Sequence, residues 1–393
     1  MSTPWITIRS RTSTRSSCQI IAFSIPRVSW GSFLLDCQHP VRYSFTGAGG
    51  TSMQVFDLRS DTITKPTLDM RKAMAAAEVG DDVYREDPTT TKLEKLAAEL
   101  TGKERALFVS SGCMGNLISL YIQAGRGKEV LCASNSHIIQ HEIGSIAAIA
   151  GSLPITINAP RGVLNATDFK SLVKQGSYDM ATTALIEVEN TIGGYCYPLE
   201  NLEMIHDFAS THNLKVHMDG ARIFNAQTAT GIPVKTYAKY ADSITFCLSK
   251  GLGCPVGSML CGDKDFISQA LTVRKLLGGG MRQTGILAAA GLYALEHHVD
   301  RLKDDHAHAK AIADTLAKTG WADVDMPGVQ TNILFFTVHS LTAQEVVKQL
   351  ARIGILANTE GDTVRLVTNL DISDDDTQSI CSLLASFELE GLA

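Results

Sequence analysis

The chain has 393 residues, 45% of them apolar and 19% charged, with a net charge of −6. That balance suits a soluble folded protein of about two domains and excludes a disordered chain. No basic stripe points to nucleic acid, and no apolar run reaches the roughly 18 residues of a membrane-spanning helix, so neither partner is expected.

The first 53 residues stand apart. They hold five arginines, no lysine and one acid, Asp36, among many serines and threonines. The composition is transit-like, and a disordered extension is the competing reading, because "SCQIIAFSIPRVSW" has no amphipathic period. Met53 opens "MQVFDLRSDT" and reads as an alternative start. The nine cysteines are scattered and none forms a C-x-x-C pair, so no zinc site is expected. Several lie in apolar runs and read as buried reduced thiols. A cytoplasmic location follows, or a mitochondrial one if residues 1–53 are a transit peptide.

From residue 54 apolar strands alternate with helices. Strands are expected at "RALFVS" (105–110), "EVLCAS" (129–134), "ATTALIEVEN" (181–190), "NLKVHMDGAR" (213–222), "DSITFCLSKG" (242–251) and "VGSMLCG" (256–262). Continuous apolar runs of this kind fit strands buried on both faces. Helices are expected at 90–102 and 198–213, ending on Gly102 and Asn213. The order predicts an α/β large domain with a mostly parallel sheet over 54–300. From about 300 a helix, the strand "QTNILFFTVH" (330–339), a helix at 342–354, the strand "DTVRLVTN" (362–369) and a last helix at about 374–388 read as a small C-terminal α+β domain, 301–393.

Two strands end in pointed chemistry. One ends on "HMDGAR", with Asp219 and Arg222; the other on "LSKG", with Ser249 and Lys250. A lysine in a dry pocket can lose its proton and attack a carbonyl, and a nearby carboxylate can keep a pyridine nitrogen protonated. Asp219 and Lys250 together fit a pyridoxal-phosphate site; a solvent-facing strand-end lysine is the alternative. "VSSGCMGN" (109–116) leaves a strand and opens a helix, so it reads either as a phosphate seat or as an ordinary turn. Neither G-x-x-x-x-G-K-[ST] nor a well-placed G-x-G-x-x-G occurs, which disfavours nucleotide folds.

Taken together, "DLRSDTITKPT" (57–67), "VGDDVYREDPTT" (79–90), "SSGCMGN", "SHIIQHE" (136–142), "VHMDGARIFNA" (216–226), "LSKGLGCPVGS" (248–258), "RKLLGGGMRQTGILAAAGLYAL" (274–295) and "VRLVTNLDIS" (364–373) resemble the threonine aldolase family. The resemblance runs over 54–393. It implies the aspartate aminotransferase fold and pyridoxal 5'-phosphate, and no metal. It makes Lys250 the Schiff-base lysine and Asp219 the partner of the pyridine nitrogen. Arg222 would sit near the cofactor's phenolic oxygen and the substrate carboxylate. His137 would stack on the ring, and Gly112 and Cys113 would donate N–H groups to the phosphate, with Ser249 alongside. Ser60 and Arg365 would clamp the substrate carboxylate. Tyr84, Arg274, Lys275 and Arg282 would approach from a neighbouring subunit of a homodimer or homotetramer. His306 and His308 read as helix-surface or packing residues, and His141 either lines the pocket or caps a turn.

The implied reaction cleaves L-threonine or L-allo-threonine to glycine and acetaldehyde, a step in threonine catabolism and glycine biosynthesis. Two departures bear on the substrate hydroxyl. Asp179 and Met180 stand where the family commonly has a histidine, and Ile192 stands in its "ENTHN"-like loop. Arg85 and Cys113 replace a usual glycine and threonine. A second reading is therefore an alanine racemase of the kind found in fungal peptide pathways, with proton donors at Lys250 and at His137, Tyr84 or a water. A third is a cofactor-binding relic.

Overall fold

The computed structural model describes residues 44–46 and 52–391; the arginine-rich stretch read above as transit-like or disordered falls almost wholly outside them. Strands β1 (Ser44–Thr46) and β2 (Ser52–Gln54) form a hairpin, and β3 (Phe56–Asp57) follows. The main sheet uses β4 (Arg105–Val109), β5 (Lys128–Ala133), β6 (Leu153–Ile157), β7 (Thr182–Glu189), β8 (Lys215–Asp219), β9 (Ser243–Cys247) and β10 (Ser258–Gly262). Their spatial order is β4-β10-β9-β8-β7-β5-β6. β5 to β9 run parallel, and β10 pairs antiparallel with both β9 and the edge strand β4.

The apolar runs form central strands because both faces of the sheet are covered. Along β4, Phe108 joins the cluster of Phe246, Met259 and Ile244, while Leu107 and Val109 join the one holding Leu260, Phe266 and Ile267. Every residue of β9 and β10 is buried. Edge strand β6 escaped the sequence reading: Pro154 interrupts it, and its positions are half-buried or exposed, as an edge permits. Local chemistry sets the helix ends. Asp87 caps the helix Pro88–Thr101, whose last turn closes on Gly102 at φ 66.

A second sheet follows. β11 (Asp323–Val324), β12 (Ile333–Thr337), β14 (Asn358–Glu360) and β15 (Thr363–Val367) lie antiparallel in the order β11-β12-β15-β14. Phe336, Val364 and Leu366 pack against Ile312, Leu316, Val346, Leu350 and Ile380 from three helices. β13 (Ile355–Leu356) pairs with β3, and Phe56 and Leu58 join this core. No helix among the described residues is long and apolar enough to cross a membrane.

Candidate active site

The site grows from the carboxyl ends of β7, β8 and β9. Register places Glu189 beside Asp219, and Asp219 beside Thr245. Three residues past β9 comes Lys250. Its carbonyl accepts from Gly253 N at 2.8 Å, and Cys254 N returns to Leu248 O at 3.0 Å, so the chain folds tightly beneath the lysine. Gly253, at φ 73, makes that turn possible. Lys250 and Ser249 are half-buried. The Lys250 charge acts on Asp61, His137 and Glu189.

Asp219 is buried and doubly held. Oδ2 accepts from Asn116 Nδ2 at 2.7 Å and Oδ1 from Ala221 N at 2.9 Å. Asn116 Nδ2 also donates to Glu142 Oε1 at 2.9 Å, and His217 Nε2 lies 3.1 Å from Asn116 Oδ1. Burial pushes the His217 imidazole down to about 4, so it is neutral at pH 7. His137 opens the short helix His137–Gln140. Its N–H donates to Glu189 Oε2 at 2.9 Å, and its ring Nδ1 lies 2.9 Å from Glu142 Oε1. That contact with Glu142 raises the His137 pKa above the ordinary histidine value. Burial raises Glu189, and Asp219 raises it further.

The helix Gly112–Gln123 points its amino end toward the end of β9, capped by Ser111 Oγ on Met114 N at 3.2 Å. A Cβ on Gly112 would stand 2.9 Å from Cys247 Sγ, and one on Gly115 would stand 2.7 Å from Thr245. Only glycines let this helix start settle so close to the strand. The first N–H groups of a helix lack intrahelical partners and favour an anion.

Arg222 begins the next helix and is gripped by Asp61, which also accepts from Asn332 Nδ2 at 3.2 Å. Arg365, in β15 between Val364 and Leu366, points away from the small core. Its nearest carboxylate is Glu360, at 3.7 Å. Burial lowers its pKa, and the charge of Arg222 lowers it further. Ser60 caps the turn that carries Asp61, its Oγ accepting from Thr62 N at 3.2 Å.

Other expected residues sit elsewhere in this chain. Arg282 binds Asp81 at 2.9 Å, and Tyr84 is 70% exposed. Lys275 is exposed. Arg274 is not poised for a neighbour: it is buried, bound to Asp82 Oδ2 and Phe108 O, both at 2.7 Å. Among the described residues, none of these four has a hydrogen bond or ion pair to Lys250, Asp219 or Arg222. His308 packs against Asp374, and His306 meets Asn225. Exposed His141 stands 5.5 Å from the His137 ring. Asp179 is exposed in a turn three residues before β7, whose eight residues run on for roughly 25 Å to Glu189.

Sequence reading missed Asp61, Asn116, Glu142, Glu189, His217 and Asn332. Four of these lie within motifs quoted above, yet nothing in the linear order pairs Asp61 with Arg222.

The residues fit pyridoxal phosphate: a lysine at a strand end, a buried and oriented carboxylate, and a glycine cradle at a helix start. A family model described as beta-eliminating lyase matches residues 57–339. The chain belongs to the beta-eliminating lyase family. Among its relatives is a probable low-specificity L-threonine aldolase 2 of Arabidopsis thaliana, 43% identical across 84% of this chain and 97% of that protein. A low specificity L-threonine aldolase of Escherichia coli K12 is 42% identical across 85% of this chain and 99% of its own length. The fold resembles the solved threonine aldolase of Leishmania major, with a TM-score of 0.73 and 22% identity over 84% of this chain and 98% of that one. Members of this family are lyases, and the α/β architecture found here is theirs.

Proposed function

We propose that this protein is a pyridoxal-phosphate-dependent aldolase that cleaves threonine-type β-hydroxy-α-amino acids to glycine and an aldehyde. The observation that carries the reading is the convergence of Lys250, Asp219 and Arg222 at the carboxyl ends of β8 and β9. When bound, the cofactor supplies an electron sink for the pair left at Cα as the Cα–Cβ bond breaks.

The chain's own residues supply the rest. Lys250 Nζ would hold the cofactor at its aldehyde carbon and is the amine that could carry a proton to Cα. Asp219, fixed by Asn116 and Ala221, keeps a proton on the ring nitrogen. Gly112 and Cys113 offer N–H groups to the phosphate, with Ser249 beside them. His137 covers one ring face. Its Nδ1–H is committed to Glu142, which leaves Nε2 to take the substrate's hydroxyl proton. Arg365, paired with Glu360 only loosely at 3.7 Å, would bind the substrate carboxylate with Arg222 and Ser60.

Among the described residues Tyr84 and Arg282 make no hydrogen bond or ion pair with Lys250, Asp219 or Arg222, and we infer that they serve the site of a second copy in a homodimer or homotetramer. We assign residues 54–300 to a large domain and 301–393 to a small one. The free thiols of the seven described cysteines favour a cytoplasmic location.

The test is incubation with L-allo-threonine, L-threonine and L-alanine separately, with acetaldehyde, glycine and D-alanine measured in parallel. Acetaldehyde and glycine from the hydroxy acids, lost in Lys250→Ala, are expected. D-alanine with no acetaldehyde would replace the aldolase reading with a racemase.

A further inference from the structure

We propose that Cys113, His137 and Glu142 also form a site for one thiophilic divalent cation of the zinc and cadmium class, held when the cofactor seat is empty. Cys113 Sγ, a ring nitrogen of His137 and a Glu142 carboxylate oxygen lie within 4.8 Å of one another. Tetrahedral zinc, with bonds of about 2.0–2.3 Å, holds its ligand atoms about 3.3–3.7 Å apart. Nδ1 and Oε1, now at 2.9 Å, need to open slightly. Cys113 is exposed on the first turn of its helix, with its Sγ already within the cluster.

A second observation points to a cation. Glu142 is 5% exposed, and among the described residues its buried Oε2 has no hydrogen-bond partner. A carboxylate with one oxygen engaged and the other orphaned is short of a positive partner. The surroundings agree in sign. Three carboxyls, Glu187, Glu189 and Asp219, gather near it against the single cation Lys250, while Arg222 is already neutralised by Asp61. Cys113 gives the open side through which the ion and a fourth ligand, water, would enter. On binding, the Cys113 S–H proton leaves to solvent and a metal–sulfur bond forms, while the ion replaces the proton between His137 and Glu142. No electron is transferred.

Competition with pyridoxal phosphate rests on the function proposed above, because that reading places the Cys113 backbone and the His137 ring in the cofactor seat. The experiment titrates the full chain with cadmium, before and after saturation with pyridoxal phosphate. It reads the ultraviolet cadmium–thiolate band and the bound stoichiometry by dialysis. One cadmium per chain is expected, weakened at least ten-fold in both Cys113→Ser and Glu142→Gln, and displaced by the cofactor. Circular dichroism confirms that both variants are folded. Equal binding by Cys113→Ser, or no thiolate band, overturns the site. Cadmium bound through Cys113 that pyridoxal phosphate leaves in place supports the site and overturns the cofactor seat instead.

Discussion

Arg222 and Asp61 meet in a two-point ion pair, Nε to Oδ2 at 2.8 Å and Nη2 to Oδ1 at 2.6 Å, although the two residues stand 161 positions apart. Burial alone would raise the Asp61 pKa, but the charge and hydrogen bonds of Arg222 outweigh it and hold the carboxyl below 3.8. The pair therefore stabilises fully above pH 3.8 and fades as pH falls through the lower folded value. Asp61→Asn leaves a buried cation unpaired. It is expected to cost about 3–5 kcal/mol in urea unfolding at pH 7. A loss below about 1 kcal/mol contradicts the pairing.

His217 loses stability in the same direction, but over a higher pH range. Its folded pKa of about 4 lies below the ordinary 6.5, so the unfolded chain takes up the proton first as pH falls. Stability is expected to decline from pH 6.5 to 4, by up to about 3 kcal/mol at about 1.4 kcal/mol per pH unit. In His217→Gln that limb should flatten. Parallel pH–stability curves for the two proteins refute the assignment.

Gly112 is a steric cradle. A methyl there would press on Cys247 Sγ, a small-to-large change worth about 1–3 kcal/mol. Gly112→Ala should weaken pyridoxal-phosphate affinity by about ten-fold or more. Trimming the opposing thiol in Gly112→Ala/Cys247→Ala should restore most of it. Affinity measured by fluorescence titration decides, and an undiminished single variant contradicts the cradle.

Arg274 and Arg282 share a motif and should behave differently. Arg274 is 1% exposed on its side chain and bridges Asp82 to a carbonyl; Arg282 is 55% exposed. Arg274→Ala should cost about 3–5 kcal/mol of stability, as removal of a buried partner does. Arg282→Ala should cost less than about 1 kcal/mol. Denaturant midpoints of the two variants check this, and equal losses contradict it.

The sheet was legible because strands buried on both faces are written as continuous apolar runs. "SITFC" and "SMLCG" could hardly be anything else. "LPITI" was not, since an edge strand needs no such run and Pro154 reads as a break. In the site, Asp219 and Lys250 stand out because each ends a strand on a costly charge. The supporting shell does not stand out. Asp61, Asn116 and Glu142 look like ordinary polar residues until the fold closes distances that sequence separation hides. Arg274 misled for the converse reason: a basic residue beside the glycine run "GGG" reads as a ligand contact, whereas it is buried and bound to Asp82.

The central claim is that Lys250 anchors pyridoxal phosphate. Borohydride reduction of the cofactor-loaded protein, followed by peptide mass mapping, tests it most directly. The expected result is a pyridoxyl-phosphate mass on Lys250 and none in Lys250→Ala. The label on another lysine, or no label on a protein that shows the cofactor's absorbance, would contradict it.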